Sequence, residues 1–263
     1  MNLENELRFA IKASHIAEEI IFDGNVEKKD MLVASRLAEL VSKNYPEDAL
    51  IIEELVKDND DLSRLDQPRT WIIDPVDGSG SSLKYLQSYE EKFSYFAVHI
   101  GLAIGHEPIL GVVYVPARKE LFYAIKNQGA YQVTENELPK KVLLKTDLKS
   151  PIEFAGSMYN NRNEQLVNLV EAERQIHGNV FGYCLMSVAI GKTKAHVARP
   201  ECKTEIGEWD ICAPSVIINE AGGIITDFYG DKFKFNQKEL YRTDGVCTQA
   251  SNGIIPWISS FPK

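Results

Sequence analysis

Two aspartates three residues apart, Asp74 and Asp77, stand at the end of a short apolar run and are followed by Gly78, Ser79 and Gly80. The run itself, Trp71-Ile72-Ile73, reads as a buried strand. Pro75 fixes the turn after it, so both carboxylates can face one point. Gly78 and Ser79 then offer backbone N–H groups with no bulky side chain in the way, an arrangement that cradles phosphate at a turn or a helix N-terminus. Two hard carboxylates beside such a cradle suit a divalent, oxygen-loving ion, and magnesium commonly binds through carboxylates plus substrate phosphate. The same string is equally compatible with a plain D-P-x-D-G turn carrying two solvated aspartates.

Two further acidic positions bear on that choice. Glu53-Glu54 follows the apolar pair Ile51-Ile52, and Trp209-Asp210 opens an apolar helix near the C-terminus. Asp210 can simply cap its own helix, and Glu53 can be solvated. Yet all of these carboxylates sit at abrupt ends of apolar segments, where loops converge.

The elements that would position them follow from the hydrophobic pattern. Leu3, Leu7, Ala10, Ile11, Ala17 and Ile21 recur at helical spacing, so the first 22 residues read as one amphipathic helix. Asp30 sits where an N-cap belongs, ahead of Ala34, Leu37, Ala38 and Val41 on a second helix. The segment from Glu47 to Asp66 carries eight carboxylates against Lys57 and Arg64. Strand texture follows: Trp71–Asp74, then Phe96–Leu102, Leu110–Val115 and Leu121–Ile125, with turn signals at His106-Glu107-Pro108 and Pro116-Ala117, an antiparallel meander. The second half alternates helices at Asn163–Gln175, Cys184–Gly191 and from Asp210 with a strand at Ile224–Phe228, and Gly222-Gly223 ends the last helix. The expected class is α+β, helices layered on sheets.

Composition sets the outer bounds. The chain has 263 residues, 44% of them hydrophobic and 25% charged, enough for one large unit with a full core. No Gly/Ser-rich linker separates two bodies, so residues 1–145 and 146–263 read as two halves of one compact unit. The formal net charge of −9 argues against unaided binding to nucleic acid or an anionic membrane. It does not exclude phosphorylated substrates, because bound cations invert the local electrostatics of an acidic cleft; without ions such a cleft is expected to bind them poorly. The N-terminus alternates charge with apolar residues and reads as neither signal peptide nor membrane span, and Cys184, Cys202, Cys212 and Cys247 lack metal-knuckle spacing. Reduced thiols in a cytoplasmic protein are expected. The five histidines, His15, His99, His106, His177 and His196, are scattered without zinc-ligand spacing and read as structural.

The motifs together resemble the inositol monophosphatase superfamily. The likeness runs through Glu53-Glu54, Trp71-Ile72-Ile73-Asp74-Pro75-Val76-Asp77-Gly78-Ser79, Trp209-Asp210 with Ala213, and Glu220-Ala221-Gly222-Gly223. It extends to Gly111-Val112-Val113-Tyr114, Gly129-Ala130-Tyr131 and Ala250-Ser251-Asn252-Gly253, from about Asp30 to the C-terminus. The resemblance implies a layered αβαβα sugar-phosphatase fold and a magnesium-dependent, lithium-sensitive phosphomonoesterase using two or three Mg2+ ions. It also implies that Glu53, Asp74 and the Val76 carbonyl hold one ion and that Asp74, Asp77 and Asp210 hold a second. Asp30 and Ser79 would orient and deprotonate the attacking water, with Gly78 and Ser79 on the phosphate; serine stands where the family has threonine and keeps the hydroxyl. No D-x-D-x-[TV] or C-x5-R motif is present, which fits direct attack by water.

Some residues depart from the pattern. Glu27 stands where the family's early V-T-x-A-D motif has threonine, and with Glu54 it is a possible additional contributor to the metal site. Gly80-Ser81-Ser82-Leu83-Lys84 matches neither branch's phosphate loop. Cys202, Lys203 and Trp209-Asp210-Ile211-Cys212-Ala213-Pro214 are similar to the 3'(2'),5'-bisphosphate nucleotidase branch, which implies conversion of adenosine 3',5'-bisphosphate to AMP. Gly156-Ser157-Met158-Tyr159-Asn160 stands in place of that branch's nucleotide-holding stretch, so inositol monophosphate remains the alternative. A different class, a silent ligand-binding relative, would have lost a metal carboxylate, and all are present. The expected partner is a small phosphorylated metabolite, with no nucleic acid and no membrane; monomer and homodimer both stay open.

Overall fold

The computed structural model describes residues 2–23, 29–56, 62–78, 96–144, 152–155, 180–198, 206–242 and 246–249. The N-terminal periodicity forms helix α1 (Glu4–Phe22), which buries Ala10, Ala13, Ala17 and Ile21. Helix α2 (Lys29–Asn44) buries Val33, Ala34, Leu37 and Val41. Asp30 lies inside its first turn rather than at an N-cap, and its Oδ1 accepts the Met31 N–H at 2.9 Å. The carboxylate still faces the orphan donors and positive dipole of the helix start, which is why sequence placed it there.

Strand β1 (Ala49–Ile52) leads directly into a single helical turn, α3 (Glu53–Val56). It pairs in parallel with β2 (Arg69–Asp77), Ile52 opposite Ile73. Next come β3 (Ala97–Ile104), β4 (Glu107–Val115), β5 (Glu120–Ile125), β6 (Ala130–Val133) and β7 (Lys140–Val142), antiparallel and in sequence order across one seven-stranded sheet. Strand β2 does not stop at Asp74 as its sequence suggested. It runs through Pro75 to Asp77 with a register shift between the two aspartates. A bulge is where proline is tolerated in a sheet, because the missing N–H breaks no ladder bond there.

The sheet is covered on both faces, so its middle strands are apolar nearly throughout. Ile73, Ile100 and Val112 pack with α1 and α2, while Ile72, Val113 and Phe122 point to the opposite core. That second core is filled by α4 (Phe181–Ala189) and α5 (Glu208–Glu220). Gly101 and Gly111 are cross-strand partners, and a Cβ on Gly111 would lie 2.2 Å from the Ala213 carbonyl oxygen. The α5 backbone therefore rests directly on the sheet, which fixes where Asp210 at its start can be. Beyond these helices lies a four-stranded sheet made of β8 (Ile152–Ala155), β9 (Ala195–Ala198), β11 (Ile224–Thr226) and β13 (Val246–Gln249), in the order β11-β13-β9-β8. A small ladder joins β10 (Ile206–Gly207), just before α5, to β12 (Tyr241–Arg242).

Helices, sheet, helices and a second sheet thus stack as layers, mixed α and β as expected. The helix expected at Asn163–Gln175 lies outside the described residues, as do the other residues of that segment. Cys184 and Cys212 are free thiols in the core. Among the described residues no helix is long and apolar enough to cross a membrane.

Candidate active site

Two strongly apolar elements deliver three carboxylates to one point. Strand β2 carries Asp74 and, across its bulge, Asp77; α5 carries Asp210 in its first turn. One oxygen of each lies within 4.8 Å of the others. Asp74 is 1% exposed and Asp77 7%. Each carboxylate also has one oxygen held by a backbone N–H. Val76 donates to Asp74 Oδ1 at 3.0 Å, Gly182 to Asp77 Oδ2 at 2.5 Å, and Gly207 to Asp210 Oδ2 at 2.5 Å. The last is the reciprocal half of a capping box, so Asp210 both caps its helix and joins the cluster. Glu53 and Glu54 open α3 straight after β1, beside β2, and their charges are felt at Asp74.

Such a site is electrostatically expensive without a cation. Burial raises the Asp74 pKa well above the ordinary carboxylate value, and Asp77, Asp210, Glu53 and Glu54 all push it the same way. Asp77 is pushed up to about 6 by burial, against the opposing pull of the Gly182 and Phe181 backbone N–H groups. Every charged group acting on Asp74 is negative, and hard oxygen donors at this spacing match a divalent ion such as Mg2+. The residues therefore fit a magnesium centre.

The surroundings hold the carboxylates in place. Gly182 opens α4 so close to the site that a Cβ there would stand 2.0 Å from His99 Nε2 and 2.9 Å from Asp77 Oδ2. Beside Asp210, Glu208 is fully buried and accepts the backbone N–H of Gln237 at 2.9 Å and of Asn236 at 2.5 Å. Buried Arg64, in the 3-10 turn Leu62–Asp66, donates to Asn236 Oδ1 at 2.7 Å and to the Gln237 carbonyl at 2.9 Å. Asn236 Nδ2 returns a bond to the Arg64 carbonyl at 3.0 Å. This polar network ties the first turn of α5 to the segment that follows Glu53 and Glu54. Sequence reading missed it, since a glutamate beside Trp209-Asp210 defaults to solvent.

Of the residues singled out by sequence, Asp74, Asp77 and Asp210 come together, with Glu53 and Glu54 alongside and Val76 buried between the two β2 aspartates. Gly78 follows with φ +87°, a left-handed conformation in which glycine is at ease. Asp30 is in the first turn of α2 and is not part of the trio. Ser79, Glu27 and Gly80 to Lys84 lie outside the described residues. His99, read as structural, is fully buried with Nε2 3.5 Å from Asp77 Oδ2. Burial lowers its pKa to about 4, partly opposed by the backbone of Trp209 and Asp210 and the charge of Glu53.

The family model described as "Inositol monophosphatase family" matches residues 10–255. Human inositol monophosphatase 1 is 30% identical over 246 residues, covering 90% of this chain and 81% of the relative. The Nus factor SuhB of Pasteurella multocida is 27% identical over 272 residues, covering 95% and 92%. In fold, the chain is similar to the crystal structure of CysQ from Bacteroides thetaiotaomicron, a bacterial member of the same family. The TM-score is 0.71 at 21% identity, covering 94% of this chain and 98% of that one.

Proposed function

Because the chain belongs to the inositol monophosphatase family, whose members are phosphatases acting on phosphomonoesters, we propose that it hydrolyses a small phosphorylated metabolite with Mg2+ held by Asp74, Asp77 and Asp210. The buried trio within 4.8 Å supports this most directly, since it has no other evident purpose at such electrostatic cost. Glu53 and the Val76 carbonyl are proposed to complete the set for a second or third ion. When bound, Mg2+ supplies positive charge that draws phosphate oxygens and makes water more acidic.

The protein's own groups do the rest. The backbone N–H anchors from Val76, Gly182 and Gly207 fix the carboxylate planes in advance, so little reorganisation is needed on binding. The N–H groups of Gly78 and Ser79 are proposed to take the phosphate. The Asp30 carboxylate, through the Ser79 hydroxyl, is proposed to orient water in line with the leaving group and accept its proton.

On substrate, the string Ile211-Cys212-Ala213-Pro214 supports removal of the 3'-phosphate from adenosine 3',5'-bisphosphate. Those residues are buried under the sheet and against Gly101 and Gly111, so they speak through kinship and not through contact with substrate. A second reading, inositol monophosphate, is favoured by the 30% identity to the human protein named inositol monophosphatase 1. Rates on adenosine 3',5'-bisphosphate, inositol 1-phosphate and fructose 1,6-bisphosphate at equal concentration decide between them. The nucleotide is expected to be turned over fastest; a large preference for inositol 1-phosphate overturns that choice.

A further inference from the structure

We propose that His99 is a positioning residue for the metal carboxylates: wedged between Asp77 and the first turn of α5, it sets the spacing at which Asp74, Asp77 and Asp210 meet a cation. Resting on the magnesium-site assignment above, the inference adds a residue that the carboxylate pattern does not contain.

The geometry brings His99 against both aspartate-bearing elements, β2 and α5. On β3 it is the cross-strand partner of Asp74. Its Nε2 lies 3.5 Å from Asp77 Oδ2, the oxygen already held by the Gly182 N–H. The Trp209 and Asp210 backbone approaches the same ring. Gly182 leaves the space the ring occupies, for a Cβ there would overlap Nε2 at 2.0 Å. Removing the imidazole would let β2, α4 and α5 close on one another, and the trio is what lies between them.

Mere filling of space is a poor explanation for this side chain. It is 0% exposed, and its ring nitrogens make no hydrogen bond of full geometry among the described residues, although Asp77 Oδ2 and the Trp209 and Asp210 backbone stand close to them. Burying two such polar atoms is unfavourable, and leucine or methionine would fill the volume without that penalty. An N–H at Nε2 directed at Asp77 Oδ2 gives the burial a use, as an outer support that fixes a ligand's orientation. Apolar neighbours in β3, Val98 and Ile100, point to the other core, so the ring is alone in doing this on its strand.

The test compares His99→Leu, His99→Asn and His99→Gln by calorimetric Mg2+ titration and by melting without Mg2+. Glutamine carries an amide N–H about as far as Nε2, whereas asparagine stops short and leucine has none. Mg2+ binding is expected to weaken about 10-fold in the leucine and asparagine variants and to stay close to wild type in the glutamine variant. Their melting temperatures without Mg2+ are not expected to follow that order. Unchanged Mg2+ affinity in the leucine variant overturns the proposal, as does weakening that simply tracks lost stability in all three. Should the leucine variant not fold, the glutamine–asparagine contrast decides alone. A wild-type protein that takes up no Mg2+ overturns the magnesium site together with this inference, whereas normal wild-type uptake with an unaffected leucine variant overturns the role of His99 only.

Discussion

Asp74→Asn is expected to abolish phosphate release while making the ion-free protein harder to melt. Every charged neighbour acting on Asp74 is negative: Asp77, Asp210, Glu53 and Glu54. Asparagine keeps the Oδ1 that accepts the Val76 N–H at 3.0 Å, so the local turn survives. Its amide adds a donor toward the remaining carboxylates where there had been repulsion. What it removes is the charge that holds a divalent cation. Loss of several kcal/mol of transition-state stabilisation corresponds to a fall of about 1,000-fold or more in kcat/KM. Melting in EDTA at pH 8 should rise by roughly 3 °C or more, since about 1 kcal/mol is worth that much in a chain this size. Opposite signs for activity and stability mark a residue kept for function. A variant that loses both would instead place Asp74 among the structural aspartates.

Stabilisation by Mg2+ is expected to be large at pH 7.5 and small at pH 5. The folded-state pKa of Asp77 is raised to about 6 from 3.8, and that of Asp74 is raised well above 3.8. The ion-free fold therefore binds more protons than the unfolded chain in this window, and that contribution to stability is lost as pH rises through about 6. For Asp77 alone the shift is on the order of 3 kcal/mol. Protonated carboxylates do not ligate, so Mg2+ replaces the protons only at the upper end. The buried imidazoles of His99 and His196 run the other way, their pKa values lowered to about 4, and they favour the fold as pH rises. Absolute melting temperatures mix the two slopes. The difference between melts with Mg2+ and with EDTA removes most of what they share, and it should grow from pH 5 to pH 7.5. A difference that is flat with pH, or absent, contradicts the assignment of this cluster as the ion site.

Much of this was legible because apolar periodicity and chain breaks are local signals. The helix starting near Asp210 and ending at Gly222-Gly223, and the β3–β5 meander, follow from alternation and turn residues. The aspartates at the end of an apolar run could be located for the same reason. Pro75 misled on where β2 ends, because a bulge carries a strand past a proline and only the pairing with β3 reveals it. His99 and Glu208 were invisible as functional candidates for a different reason. Their meaning lies in Gly182, Trp209, Asn236 and Gln237, residues far away in sequence, and no spacing rule connects a buried polar atom to a distant backbone. Gly182 itself is one of 17 glycines, and only the approach to His99 and Asp77 singles it out.

The most direct measurement is phosphate release by the purified chain, with Mg2+ and again in EDTA, from adenosine 3',5'-bisphosphate, inositol 1-phosphate and fructose 1,6-bisphosphate. Asp74→Asn is run alongside. A metal centre built on Asp74, Asp77 and Asp210 predicts release from at least one of these with Mg2+, none in EDTA, and none from the variant. Equal release by wild type and Asp74→Asn, or release that EDTA leaves untouched, would contradict it.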